Sequence, residues 1–262
     1  MKIKLDVRNI SFSYNSAKTL RDVCFRVGRG RLVSLVGPNG SGKSTLLRCV
    51  NNILSPEHGR IMVDEREVRR LSRMETARTL TYVPQSIHRV FPHTVFDVVH
   101  MGRRPHLGWK TGSRDAEKVW ETLDLLGLVD LAMNSFTELS GGQQQKVLIA
   151  RALAQETGLV LLDEPTSNLD LWHQLDVLNI VLALVEKRDV TVIMAMHDLN
   201  MAAKHSHDLI MLKNGRVVAA GPPQTVLTRS AIAEVYNVDA RVERCDGLLY
   251  VIPVGQRPLR RA

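Results

Sequence analysis

The sequence lacks the features of a membrane-spanning or disulfide-stabilised protein. Its only cysteines are Cys24, Cys49 and Cys245, which lie far apart and show no CxxC spacing. A sparse, odd-numbered set of this kind indicates free thiols in a reducing cytoplasm. No apolar run approaches the roughly 18–20 residues that a membrane-spanning helix needs, and the alternating N-terminal sequence has no apolar signal-peptide core. We therefore expect a soluble or peripheral protein that leaves any membrane work to a partner chain.

The positive charge is dispersed rather than gathered into one binding surface. The chain carries a formal net charge of +8 at pH 7, with basic clusters only at 66–73, 103–104 and 257–261. Such dispersed charge is more typical of a solvated surface that favours polyanions or an anionic membrane face than of a base-reading groove. This distribution favours a protein without a direct nucleic-acid partner.

Hydrophobic patterning predicts one α/β nucleotide-binding unit. Leu159–Leu162 and Val190–Ala195 are continuous apolar runs, which are typical of strands buried on both faces of a parallel sheet. From about residue 86 to 157, strand signals vanish and helical periodicity replaces them. We interpret 86–157 as a helical insert within a single domain that spans 1–262.

The C-terminal part, about 222–262, reads as a short appendage to this domain. Its last residues, after Val254, have the composition of a frayed tail.

Gly37–Thr45 (GPNGSGKST) satisfies in full the GxxxxGK[ST] pattern of a phosphate-binding loop. It lies between a predicted strand, 31–36, and a predicted helix, 46–53, which is the context that the motif requires. The glycines let backbone N–H groups point at phosphate oxygens, and the helix adds its positive end. Lys43 can bridge the β- and γ-phosphates, and the Ser44 hydroxyl can coordinate Mg²⁺. The predicted nucleotide-binding residues of the loop are Gly37, Pro38, Asn39, Gly40, Ser41, Gly42, Lys43, Ser44 and Thr45.

An acidic pair follows the apolar run Leu159–Leu162. Asp163 and Glu164 emerge at the carboxyl end of the predicted strand, where ligands bind in open α/β sheets. Asp163 can hold a metal ion, and Glu164 can polarise the attacking water. Taken without the loop, a solvated strand end is an equally good interpretation of the pair.

Leu139–Gln143 (LSGGQ) stands at the start of another predicted helix. Ser140 is a favourable N-cap, and the two glycines after it leave N–H groups uncovered for an anion. Taken alone, this segment is more simply interpreted as an ordinary capped helix start.

In combination, these motifs resemble the ATP-binding subunits of ABC transporters. The order of the phosphate-binding loop, Gln85, LSGGQ, LLLDEP, Ser167–Asp170 and His197 matches that family over about residues 5–227 without a gap. The resemblance implies an α/β P-loop NTPase of the ABC type, with a mostly parallel core sheet, an N-terminal antiparallel β subdomain and a helical insert. It also implies ATP hydrolysis, with ATP and Mg²⁺ bound.

The resemblance implies a role for each matching residue. Tyr14 would stack on adenine, with a core aromatic as the alternative for a strand tyrosine. Gln85 would contact Mg²⁺ and the attacking water, His197 would orient Glu164 and the γ-phosphate, and Asp170 would close the contact between two subunits. The implied catalytic residues are Lys43, Gln85, Glu164 and His197, and the implied metal ligands are Ser44, Gln85 and Asp163. The γ-phosphate of ATP on the opposing subunit would be contacted by Ser140, Gly141, Gly142 and Gln143.

The resemblance also implies that one chain supplies only half of such a site, because its own 140–143 would belong to the helical insert and face away from its loop. Two chains arranged head to tail about a two-fold axis would complete both sites. The resemblance further implies a permease dimer and a substrate-binding protein as partners, and a peripheral position on the cytoplasmic face of the inner membrane.

Residues 94–108, 166–171, 197–200, 221–223 and 235–238 resemble the corresponding stretches of importers of cobalamin, haem and ferric siderophores. The resemblance indicates the ATPase of a type II importer for an iron chelate, haem or cobalamin. One alternative is the ATPase of an importer for molybdate, a metal ion or a phosphonate. Another is a soluble ABC ATPase that acts on nucleic acid, although the two nucleotide-binding units or the coiled-coil or zinc insert usual in that class are not evident.

Overall fold

The computed structural model describes residues 2–85, 93–106 and 113–257 of the chain. The strands are β1 Ile3–Tyr14, β2 Ala17–Gly28, β3 Leu32–Val36, β4 His58–Val63, β5 Arg66–Glu67, β6 Leu80–Val83, β7 Leu159–Asp163, β8 Thr191–Met196, β9 Asp208–Lys213, β10 Arg216–Gly221, β11 Val238–Cys245 and β12 Leu248–Gln256. The helices are α1 Lys43–Val50, α2 Arg73–Thr79, α3 Val95–His100, α4 Ser113–Leu125, α5 Gly141–Ala154, α6 Leu171–Arg188, α7 Leu199–His205, α8 Pro223–Val226 and α9 Arg229–Tyr236. Short 3₁₀ turns occupy Val68–Arg70, Met101–His106, Val129–Leu131 and Phe136–Glu138.

A six-stranded sheet in the order β10-β9-β3-β8-β7-β6 forms the centre of the fold. All neighbouring pairs in it are parallel except β10 and β9. Every residue of β3, β7 and β8 is buried, as expected of apolar strands covered on both faces. The predicted mostly parallel core sheet is therefore confirmed.

The central strands divide their side chains between two hydrophobic cores, because successive residues of a strand point to opposite faces. Val160 and Leu162 of β7 pack in a core shared with α3, α4, α5 and α6. Leu159 and Leu161 pack in a second core shared with β1, β2 and α1. The carboxyl end of β7 is thus fixed from both sides.

The N-terminal part of the chain forms a separate antiparallel sheet in the order β2-β1-β4-β5. This sheet is the N-terminal antiparallel β subdomain that the sequence resemblance implies.

The stretch between β6 and β7 is helical in its described parts, which contain α3, α4 and α5. Thr94 and Ser135 form an isolated bridge pair there. Residues 86–92 and 107–112 of the expected insert, and with them the end of the 94–108 stretch, lie outside the described residues. Among the described helices, none combines the length and hydropathy needed to cross a bilayer.

The C-terminal appendage is more ordered than the sequence suggests. The prediction of a frayed tail after Val254 is wrong up to Gln256, because β12 continues to that residue and pairs it with Val238 of β11. The next residue, Arg257, places its Nε 2.8 Å from a carboxylate oxygen of Asp239. A partner strand therefore orders residues whose composition alone suggests a free end.

Replacing Leu161 with alanine tests the central position of β7. The Leu161 side chain is 0% exposed, so Leu161→Ala should lower the free energy of unfolding by about 2–5 kcal/mol through lost burial and a residual cavity. Chemical denaturation measures this change. The matched control is Leu171→Ala, whose side chain is 67% exposed and whose loss should stay within about 0.5 kcal/mol. Equal losses in the two variants would contradict the assignment of β7 to the core.

Candidate nucleotide-binding site

The predicted phosphate-binding loop connects the carboxyl end of β3 to α1. The helix begins at Lys43, three residues before its predicted start, because the last residues of the loop form its first turn. Gly37 has a φ of 153°, and a Cβ on it would lie 2.3 Å from the carbonyl oxygen of Leu212. Only glycine fits there. Gly42 precedes the helix without a side-chain cap, so the N–H groups of the first turn stay available to an anion.

A cavity of about 160 Å³ opens at the loop. Its lining residues are Thr19, Asn39, Gly40, Ser41, Gly42, Lys43, Ser44, Thr45 and Glu164. Lys43 is buried, and its ammonium group donates to the carbonyl oxygens of Gly37 at 2.9 Å and Pro38 at 3.3 Å. Burial lowers the pKa of Lys43, and the carboxylates of Glu164 and Asp163 oppose that change. Among the described residues, the hydrogen-bond acceptors of this buried ammonium group are neutral carbonyls. An anionic phosphate would be a stronger partner.

The predicted metal ligands Ser44 and Asp163 are in direct contact. Asp163 is 2% exposed; its Oδ1 accepts from the Ser44 hydroxyl at 2.8 Å, and its Oδ2 accepts from the Tyr82 hydroxyl at 2.9 Å. Burial raises the pKa of Tyr82 to about 12, so this hydroxyl is a neutral donor near pH 7. A carboxylate next to a hydroxyl, both offering oxygen, fits Mg²⁺, which prefers hard oxygen ligands.

Three predicted catalytic residues meet at the carboxylate of Glu164. Its Oε2 accepts from the Gln85 side-chain amide at 2.6 Å, and its Oε1 lies 2.5 Å from Nε2 of His197. Glu164 has a φ of 53°, an unusual left-handed conformation in the turn after β7. Its carbonyl oxygen accepts from the backbone N–H and the hydroxyl of Ser167, which stabilises that turn. Gln85 and His197 thus fix the direction of the carboxylate from two separate segments.

Ser140 caps α5 as predicted. Its hydroxyl accepts from the Gln143 backbone N–H at 3.3 Å, and the Gln143 side-chain oxygen accepts from the Ser140 N–H at 3.0 Å, which together form a capping box. Among the described residues that line the loop cavity, none belongs to Leu139–Gln143. These groups are therefore not part of the cavity formed by the loop of the same chain.

The sequence pattern did not identify His173, which joins two of the predicted motifs. Asp170 caps α6, and its Oδ1 lies 2.9 Å from the backbone nitrogen and 2.7 Å from ring Nδ1 of His173. The backbone N–H of His173, followed by its ring, lowers the pKa of Asp170. The same ring packs on Gly142, where an added Cβ would lie 2.1 Å from ring Cδ2. The signal that identifies such a residue is the spacing of Asp and His, three apart at a helix start.

Tyr14 ends β1 with its side chain 41% exposed. Its ring meets Phe12 edge-on, with centroids 4.9 Å apart. The alternative of a core aromatic is therefore wrong for Tyr14, and stacking on adenine stays a prediction.

A glycine-to-alanine pair tests the packing of His173 on the LSGGQ segment. Gly142→Ala should lower the free energy of unfolding by about 1–3 kcal/mol, because the new methyl group overpacks against the ring of His173. Thermal or chemical unfolding measures the loss, and a double variant with His173→Ala should recover most of it. Gly141→Ala is the matched control, since nothing lies within 4 Å of a Cβ at Gly141. A loss that persists after His173→Ala would show that the ring is not the obstacle.

Comparisons with known proteins place these motifs in a family. The family model described as ABC transporter matches residues 20–167. The chain is 44% identical over 251 residues to an uncharacterised ABC transporter ATP-binding protein of Methanocaldococcus jannaschii, covering 96% of this chain and 98% of that protein. It is 39% identical to a cobalamin import ATP-binding protein of Halobacterium salinarum, covering 97% of this chain and 64% of that longer protein. It is 33% identical to the ferric enterobactin transport ATP-binding protein of Escherichia coli, covering 97% and 95%.

Solved structures of ABC transporter proteins are also similar to this chain over most of its length. A chain of an inward-facing ABC transporter, provisionally assigned to the metal-chelate type, superimposes with a TM-score of 0.84 at 31% identity, covering 97% of this chain and 98% of that one. A dimeric ATP-binding cassette in a post-hydrolysis state, bound to ADP and phosphate, superimposes with a TM-score of 0.74 at 28% identity, covering 84% and 98%. The loop, the acidic pair and the LSGGQ segment thus stand in a fold shared from end to end, and the chain belongs to the ATP-binding proteins of ABC transporters.

Proposed function

We propose that this chain hydrolyses MgATP as the ATPase subunit of an ABC importer. The observation that carries the proposal is the convergence of Gln85 and His197 on the carboxylate of Glu164, which itself lines the cavity of the phosphate-binding loop. A carboxylate oriented by two donors next to a phosphate cradle is the arrangement that general-base hydrolysis needs.

The loop binds the phosphates of ATP. Lys43 exchanges its two carbonyl partners for β- and γ-phosphate oxygens, and the N–H groups at the start of α1 add further donors. Mg²⁺, which Ser44, Gln85 and Asp163 would hold, would neutralise charge on the phosphate oxygens. Tyr14 stacks on the adenine ring.

Glu164 acts as the general base for water. The water oxygen attacks the γ-phosphorus in line with the β–γ bridging oxygen, and its proton passes to the Glu164 carboxylate. The bond to the bridging oxygen breaks, and ADP and inorganic phosphate leave. Gln85 and His197 keep the carboxylate directed at the water, a positioning effect that lowers the entropic part of the barrier.

A second copy of the chain completes each site. Ser140–Gln143 does not line the cavity of its own loop, and a head-to-tail dimer would bring it to the γ-phosphate held by the other subunit. Asp170, joined to Gly142 through His173, would close the contact between the two sites. The similarity to a dimeric cassette bound to ADP and phosphate supports this arrangement. Loss of the γ-phosphate then reopens the dimer, which turns hydrolysis into movement.

The imported cargo is an iron chelate, haem or cobalamin. Relatives named for cobalamin and ferric enterobactin, and a metal-chelate type neighbour among the solved structures, support this class. The transmembrane path is formed by a dimeric permease fed by a substrate-binding protein. The ATPase dimer lies peripherally at the cytoplasmic face of the membrane and has no direct nucleic-acid partner.

Glu164→Gln should separate nucleotide binding from hydrolysis. The amide keeps the shape of the side chain but cannot accept the proton, so phosphate release should fall by about 10²-fold or more while ATP binding persists. Light scattering after size exclusion should then show a dimer that depends on MgATP. Lys43→Ala is the comparison variant and should lose nucleotide binding or turnover. Hydrolysis by Glu164→Gln at the wild-type rate would rule out Glu164 as the general base.

Cargo class is tested with the permease that co-purifies with the chain, reconstituted in liposomes. ATPase activity should rise several-fold when the substrate-binding protein carries a ferric siderophore, haem or cobalamin, and Glu164→Gln should abolish the rise. Molybdate, free metal ions and phosphonates serve as the competing cargos. Stimulation by one of these instead would overturn the chelate assignment. Tight DNA binding at about 150 mM salt without any permease would overturn the transport role.

A further inference from the structure

Tyr82 contacts the predicted Mg²⁺ site from outside the motifs that define it. It lies on β6, beside Leu161 of β7 in the parallel pair that these strands form. From there its hydroxyl donates to Oδ2 of Asp163, the last residue of β7, at 2.9 Å. A residue of the edge strand thus touches the aspartate that terminates the neighbouring strand.

The two oxygens of Asp163 are divided between two structural elements. Oδ1 accepts from Ser44 on α1, and Oδ2 accepts from Tyr82 on β6. Because a carboxylate is planar, tying Oδ2 to a fixed donor sets the direction of Oδ1. Asp163 is almost wholly buried, where a charged oxygen without a donor would be costly. The Tyr82 hydroxyl therefore both stabilises the carboxylate and directs its other oxygen at Ser44.

Tyr82 also lines an open cavity of about 480 Å³. The other lining residues are Asn51, Asn52, Ile53, Arg73, Thr76, Ala77, Leu80 and Gln155. Arg48 of α1 also donates from its Nε to the Tyr82 hydroxyl at 3.4 Å. The half-buried Tyr82 side chain therefore connects this cavity with the buried carboxylate of Asp163.

We propose that Tyr82 is a positioning residue for Mg²⁺, which orients Asp163 toward Ser44 and thereby sets the Mg²⁺ affinity of the nucleotide site. The proposal rests on the proposed function, since the ion in question is that of MgATP. It adds a residue that acts through Asp163 and touches neither the nucleotide nor the water.

Tyr82→Phe is the direct test, because it removes one oxygen atom and leaves the ring in place. A fluorescent ADP analogue is bound to the full-length chain first in EDTA and then with increasing Mg²⁺. The Mg²⁺ concentration that gives half of the Mg²⁺-dependent change should rise by roughly 10-fold or more, as for other residues that support a metal ligand. Binding in EDTA should be unchanged. In ATPase assays the KM for Mg²⁺ should rise, with kcat recovered at saturating Mg²⁺.

Two further variants make the result specific. Tyr250→Phe on β12, whose hydroxyl contacts none of the site residues described above, is the matched control and should leave the titration unchanged. Tyr82→Leu also lacks the hydroxyl, so its half-maximal Mg²⁺ concentration should rise at least as much as that of Tyr82→Phe. An unchanged Mg²⁺ titration in either Tyr82 variant would overturn the proposal. Wild-type protein without any Mg²⁺-dependent nucleotide binding would instead overturn the proposed function.

Discussion

Two carboxylates at the end of one buried strand are the constraint around which the site is organised. Asp163 is the last of the five buried residues of β7, and Glu164 follows it with a side chain that is 12% exposed, so neither carboxylate is freely hydrated. A buried carboxylate needs donors wherever the chain can supply them. Ser44 and Tyr82 supply them to Asp163, and Gln85 and His197 supply them to Glu164. The groups that stabilise these carboxylates are therefore largely the groups that we propose to bind or position metal and water.

The parallel sheet explains how donors so far apart in sequence reach the same place. Strands β3, β8, β7 and β6 are adjacent and parallel, so the segments that follow them leave the same edge. The phosphate-binding loop follows β3, His197 follows β8, the acidic pair ends β7, and Gln85 follows β6. The alignment of the parallel strands thus brings four segments together at this edge. The position of each segment depends on the register of its strand.

Sequence alone predicted the parts of the site that depend on local pattern. The loop and the acidic pair have fixed spacing next to strongly apolar strands, and the structure places both where that spacing indicates. The contacts of Tyr82 and His173 were missed because they join segments that are distant in sequence. The order of the C-terminal hairpin was missed for the same reason, since Gln256 is held by pairing with Val238 rather than by its own propensity. Side-chain contacts between distant segments are therefore the part of the site that sequence alone predicts least well.

The LSGGQ segment fits the proposal that a single chain is an incomplete ATPase. The side chains of Ser140 and Gln143 each accept from the backbone N–H of the other residue in a capping box, and the ring of His173 packs on Gly142. This helix start is therefore capped by residues of its own segment. The cap leaves the positive end of the α5 dipole at this helix start, where it would favour an anion. In the proposed dimer, the γ-phosphate of ATP held in the loop of each copy would lie at the start of α5 of the other copy, so ATP itself would link the two subunits.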